Sequence, residues 1–218
     1  MLLLAYRSGI FPMADSREDT EIFWVEPRER AIIPLDGLRI SRSLAKALRQ
    51  DRYSVTIDRA FEEVMEACAA PRPDHPESWI SQRIIASYRQ LHAAGFAHSI
   101  ECWREGQLVG GLYGVAFDRV FCGESMFSRA KDASKVALCW LVALMRRAGY
   151  TLLDCQFMTD HLASLGAIEI PQKRYLESLA AARGEPDMSL RRAYSEFAEG
   201  GDASSPGKLI AQSLTQTS

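Results

Sequence analysis

Apolar and polar positions along this chain change period several times, and each change marks a new element. Residues 53–57 (YSVTI) alternate as a half-buried strand does, whereas 60–69 (AFEEVMEACA) carry apolar residues at helical spacing. Residues 80–94 read as an amphipathic helix stopping at Gly95, a residue suited to a left-handed C-cap. The period then returns to two. Residues 98–103, 107–117 and 120–126 read as three antiparallel strands with turns at Arg104-Glu105-Gly106 and Asp118-Arg119. Gly110-Gly111 inside the middle strand predicts a bulge or a close backbone approach. An apolar helix over 133–148 follows, its buried face including Val136, Leu138, Trp140, Leu141 and Leu144. Strand 151–157, a short helix over 161–165 closed by Gly166, and strand 167–170 complete the run.

The two ends differ from this middle. Residues 1–35 are rich in aromatics and prolines (Phe11-Pro12, Phe23-Trp24, Glu26-Pro27, Ile33-Pro34), which predicts a small N-terminal domain of short strands and turns. In SRSLAKALRQ (41–50), Ser41 or Ser43 can cap a helix that turns Leu44 and Leu48 inward and Arg42, Lys46 and Arg49 outward. With Arg39 and Arg52 this makes a basic patch, to be read either as a phosphate-binding surface or as a solvated helix face. A proline-rich linker, PRPDHPES (71–78), precedes Trp79. The main domain is expected over 53–199, with a polar, disordered tail over 200–218.

Charge narrows the possible partners. With 26 Lys and Arg against 28 Asp and Glu, the formal net charge is −2, so any nucleic-acid contact has to be a local patch. The five cysteines lie apart within apolar runs and the four histidines are scattered, which predicts buried thiols in a reducing cytosol and no metal site. MLLLAYRSGIFPM is too short to span a membrane, and its charge follows rather than precedes the apolar run. A soluble, cytoplasmic, monomeric protein is expected.

Polar residues at strand ends supply the candidate chemistry. Asp154 and Gln156 sit two apart on a β-type run, so both side chains leave one face, one bringing charge and the other an amide. Taken alone, such a pair more commonly serves as a turn or cap device. Glu124 interrupts an apolar strand, where an unpartnered charge is costly; it can receive a cationic group or pair with Arg129. Ser128, at the following turn, can bond a substrate or cap the next helix.

The order helix, three-stranded meander, helix, strand, short helix, strand resembles the Gcn5-related acyltransferase core, an α+β fold with a mixed sheet flanked by helices. The strings AYRSGIFPM, AHSIECWREGQLVGGLYGV, FCGESMFSR, ASKVAL and DCQF…HLASLGAIEI are similar to those of the leucyl/phenylalanyl-tRNA–protein transferase family. That resemblance implies transfer of Leu or Phe, and in some members Met, from aminoacyl-tRNA to proteins beginning with Lys or Arg, which creates a degradation signal. It implies no cofactor. Gln156 would position the attacking amine and Asp154 would hold or polarise Gln156. Phe121, Met126, Leu138, Leu141 and Leu153 would line the pocket for the donor side chain, Trp79 would stack on the terminal adenine, and Arg42, Lys46 and Arg49 would meet the tRNA. Met13 stands where many members carry Trp, which weakens stacking there. A neutral amide is a poor base, so the proton acceptor stays open among Asp154, water and a ribose hydroxyl. The alternative is a coenzyme A-dependent N-acetyltransferase of the same fold, but residues 128–133 (SRAKDA) lack the glycines that a pyrophosphate loop uses.

Overall fold

The computed structural model describes residues 1–17, 19, 21–71, 78–199 and 205–215. Helix α1 (Leu2–Arg7) leads into a hairpin of β1 (Phe11–Met13) and β2 (Phe23–Val25), and then into β3 (Glu29–Ile33). After helix α2 (Arg42–Arg49) come β4 (Ser54–Ile57), α3 (Phe61–Ala69), α4 (Gln82–Ala93) and the meander β5 (Ala97–Arg104), β6 (Gln107–Phe117) and β7 (Val120–Ser128). Helix α5 (Ala133–Ala148), β8 (Leu152–Gln156), α6 (Asp160–Ser164), β9 (Ile168–Pro171), α7 (Gln172–Ala181), α8 (Leu190–Glu199) and α9 (Pro206–Thr215) complete it.

Seven strands form one mixed sheet in the order β4-β5-β6-β7-β8-β3-β9, and all its neighbours are antiparallel except β7 and β8. A parallel pair needs a crossover, and α5 supplies it. Helices cover both faces. One core packs α2, α5, α8 and α9 around Leu44, Leu138, Leu141 and Ile210; the other packs α1, α3, α4 and α7 around Tyr6, Val64, Tyr88 and Tyr175. Helix ends follow the sequence signals: Ser41 accepts from Leu44 N–H, Ser81 accepts from Ile84 N–H, and Gly95 and Gly166 are left-handed.

The glycines of β6 meet both expectations. Cys102 pairs with Gly110 and Trp103 with Leu108, so Val109 is the extra residue of a bulge. A Cβ on Gly110 would sit 2.5 Å from that of Ala133, so the bare backbone lets α5 lie close to the sheet.

Two expectations at the ends are corrected. The first 35 residues are not only short strands and turns: Leu2–Arg7 is helical, and β3 is an interior strand between β8 and β9. Local proline content says nothing about strands supplied elsewhere in the chain, and those partners order β3. The tail is not disordered over 205–215, because α9 buries Ile210 and Ala211 against α2 and α5. Residues 200–204 and 216–218 of the expected tail, and 72–77 of the expected linker with His75, lie outside the described residues. Among the described residues no helix is long and apolar enough to cross a membrane, and the five cysteines form no disulfide.

Candidate active site

Strands β7 and β8 pair at Val120–Leu152, Phe121–Leu153 and Cys122–Asp154, and then pairing stops. Just past the last pair each strand carries an extra residue. In β7, Tyr113 faces Ser125 and Gly114 faces Gly123, which leaves Glu124 bulged; in β8, Ala31 faces Gln156 and Ile32 faces Asp154, which leaves Cys155 bulged. Bulges bend strands and re-aim side chains, so the two strands part here.

The gap holds a cavity of about 550 Å³, walled by Leu112, Met126, Leu138, Leu141 and Leu153. A second cavity of about 230 Å³ is lined by Phe11, Met13, Trp79 and Phe157. Glu124, Cys155, Gln156, Thr159 and Leu162 line both, so these residues form the boundary between them. The larger space is apolar at its wall and polar at that boundary, as small-ligand sites commonly are.

Asp154 lies away from both cavities. It is fully buried and grips Arg30 with two bonds, Nε to Oδ1 at 2.8 Å and Nη2 to Oδ2 at 2.6 Å. Tyr175 donates to Oδ2 at 3.0 Å, and the backbone N–H of Gln156 donates to Oδ1 at 2.9 Å. Arg30 in turn lies over the rings of Phe11 and Tyr175 and donates to the carbonyl of Gly9 at 3.0 Å. Burial works against its charge, but the hydrogen bond and charge of Asp154 prevail and hold the guanidinium above its ordinary value.

Asp154 therefore holds Gln156 by its backbone rather than by its side-chain amide. That bond matters because Gln156 has φ +58°, a left-handed conformation that costs a non-glycine residue about 1–3 kcal/mol. The side-chain Nε2 of Gln156 instead donates to Glu124 Oε1 at 3.4 Å.

Glu124 is met from below by two phenols. Tyr6 from α1 donates to Oε1 at 2.7 Å, Tyr88 from α4 donates to Oε2 at 3.0 Å, and the two hydroxyls bond each other. Burial raises the Glu124 carboxyl, the two phenol bonds lower it, Asp154 raises it and Arg30 lowers it; the outcome is pushed up to about 7. Pairing with Arg129 does not occur, since that guanidinium lies over Phe127.

Of the residues expected to contact substrate, Glu124, Met126, Ser128, Leu138, Leu141, Leu153 and Gln156 line the larger cavity, and Met13 and Trp79 line the smaller. Phe121 lines neither: it is fully buried and packs its ring against Gly114. Ser128 accepts from Ser134 N–H at 3.4 Å, a bond to the first turn of α5, whose N-cap position is Asp132. Arg42, Lys46 and Arg49 are exposed on α2, away from both cavities. Tyr6, Arg30, Tyr88, Tyr175 and His161 were not anticipated. Arg30 offered one signal, a charge on the same phase as Ile32 within ERAII, but its partner is 124 residues away.

Residues 1–28 match the leucyl/phenylalanyl-tRNA protein transferase N-terminal domain, and residues 32–180 match the leucyl/phenylalanyl-tRNA protein transferase family. A leucyl/phenylalanyl-tRNA–protein transferase of Novosphingobium aromaticivorans is 57% identical over 251 aligned residues, covering 100% of this chain and 95% of the relative. One from Rhizorhabdus wittichii is 59% identical over 184, covering 84% and 74%. A solved structure, L-PGS from Bacillus licheniformis, is similar only at TM-score 0.38 and 13% identity, over 96% of this chain and 70% of that one. The sequence relatives define the chain as an enzyme that transfers aminoacyl groups. It belongs to the leucyl/phenylalanyl-tRNA–protein transferase family.

Proposed function

We propose that this protein moves Leu or Phe, and also Met, from aminoacyl-tRNA to the α-amine of proteins beginning with Lys or Arg, and so creates an N-terminal degradation signal in the cytoplasm. The observation that carries this reading is the pair of cavities meeting at Glu124 and Gln156. A space of about 550 Å³ walled by leucines and Met126 suits a large apolar side chain, and methionine can repack around Leu, Phe or Met. Trp79 in the neighbouring cavity offers a face for the terminal adenine, worth about 1–3 kcal/mol when a base stacks on it. The ester carbonyl would then lie at the boundary.

An aminoacyl ester is already activated toward amines, so no covalent enzyme intermediate is needed. Proximity, a free amine lone pair and stabilisation of the tetrahedral oxyanion are what the site has to provide. Gln156, fixed by its backbone bond to Asp154, orients the amine. Asp154 is a positioning residue. Both its oxygens are taken by Arg30, Tyr175 and Gln156, and it reaches neither cavity.

A coenzyme A thioester is the less supported donor. In the loop that would cradle a pyrophosphate, Arg129 N–H donates to Val109 O, Ala133 N–H to Ala130 O and Ser134 N–H to Ser128 Oγ, so these amides are already engaged. The test offers leucyl-tRNA or acetyl-CoA to the enzyme with a peptide beginning with Arg. Leucine incorporation without acetylation is expected; acetylation alone would reject the tRNA reading.

A further inference from the structure

We propose that Glu124 carries the proton in this transfer: its carboxylate accepts a proton from the acceptor's nitrogen as the C–N bond forms, and returns it to the ribose oxygen as the ester C–O bond breaks. The inference rests on the aminoacyl-transfer reading above. Neutral amine and ester become amide and ribose hydroxyl, and Glu124 ends ionised as it began.

Position is the first argument. Among the described residues Glu124 is the one carboxylate lining either cavity, and it stands on their boundary rather than within one of them. The bulge puts it there, because without the extra residue between the Gly123 and Ser125 pairs the side chain would follow the pleat. His161 lines only the larger cavity, and burial together with Lys135 lowers its affinity for a proton.

The second argument is a count of protons. Tyr6 with Tyr88, Tyr6 with Oε1 and Tyr88 with Oε2 are three oxygen-to-oxygen contacts, and each needs a hydrogen. The phenols bring two. With Glu124 ionised one contact is left without a hydrogen, and a single added proton completes the cluster. The groups facing Glu124 are Tyr6 from α1, Tyr88 from α4, Tyr113 from β6, Cys122 from its own strand, Asp154 from β8 and Arg30 from β3. Burial pushes the three phenols and the thiol upward, so they stay neutral, and the charges of Asp154 and Arg30 oppose each other. A carboxyl that gains and loses its proton at about 7 can serve both halves of the step.

The experiment measures kcat against pH at saturating acceptor, with leucyl-tRNA and an Arg-initiated peptide, for the wild type, Glu124→Gln, Tyr6→Phe and His161→Asn. The wild type should gain rate through an inflection near 7. Glu124→Gln should lose that inflection and about 100-fold or more in rate, the usual contribution of a proton-transferring side chain. Tyr6→Phe, which removes a bond favouring the charged carboxylate, should move the inflection to higher pH; His161→Asn should leave it in place. An unmoved inflection in Glu124→Gln would overturn the proposal while the transfer reading stands, and so would an unmoved one in Tyr6→Phe should Glu124→Gln misfold. A wild type that transfers no leucine would overturn both.

Discussion

At the residue scale, the buried Asp154–Arg30 pair decides between chemistry and architecture. Their side chains are 0% and 1% exposed, and removing one partner of such a pair leaves the other charge buried without compensation, at a cost of about 3–5 kcal/mol. Asp154→Asn should therefore lower the melting temperature by roughly 6–20 °C in a protein of this size, and activity should fall as a result. An Asp154→Asn protein that melts with the wild type yet loses rate would return the residue to a direct role. Glu124 makes a second prediction, in pH. Its folded value of about 7 lies above that of an exposed glutamate, about 4.3. Between those values the folded protein holds a proton that the unfolded chain has released, so stability from this group should grow as pH falls from about 7 to about 4.3. Thermal melts should show this slope in the wild type and lose it in Glu124→Gln.

At the element scale, the last helix is a test of close packing. Gly207 lets α9 approach α2 so nearly that a Cβ there would lie 2.1 Å from the carbonyl of Leu48, and its N–H donates to Asp51 Oδ1 at 2.8 Å. Gly207→Ala should push α9 off Leu44 and Leu48 at a cost of about 1–3 kcal/mol, as overpacked sites do. Limited proteolysis should then cleave α9 sooner than in the wild type; an equal cleavage rate would mean the contact is dispensable. The bulges belong to this scale as well. The sequence marked one of them with Gly110-Gly111, where small residues announce a close approach. The bulge at Glu124 lies in the β6–β7 hairpin beside Gly123, whereas that at Cys155 carries no such mark, because it arises between β3 and β8, strands distant in the chain.

At the scale of the whole molecule, net charge is slightly negative, so tRNA binding has to draw on a local surface. Helix α2 presents Arg42, Lys46 and Arg49 to solvent, with no ion pair to them among the described residues. Reversing charge at Lys46 and Arg49 should weaken tRNA binding and reduce the slope of log K against log salt by about one for each lost phosphate contact. An aminoacyl-adenosine donor, lacking the tRNA body, should be used as well as by the wild type; impairment with that small donor would make the patch structural. The sequence by itself determined most middle elements, since helix caps and the two periodicities act within a few residues: α2, α5 and the meander stand where their patterns put them. Of the residues it marked for a site, Gln156, Glu124 and most of the apolar ones line the larger cavity. Only the tertiary structure decided what Asp154 does, that Phe121 stands behind the cavity, and that Tyr6 and Tyr88 bracket Glu124. The physical reason is distance along the chain. A buried carboxylate takes its character from whichever partners the fold brings to it, and here Arg30, Tyr6 and Tyr88 come from three separate elements whose own sequences give no sign of the meeting.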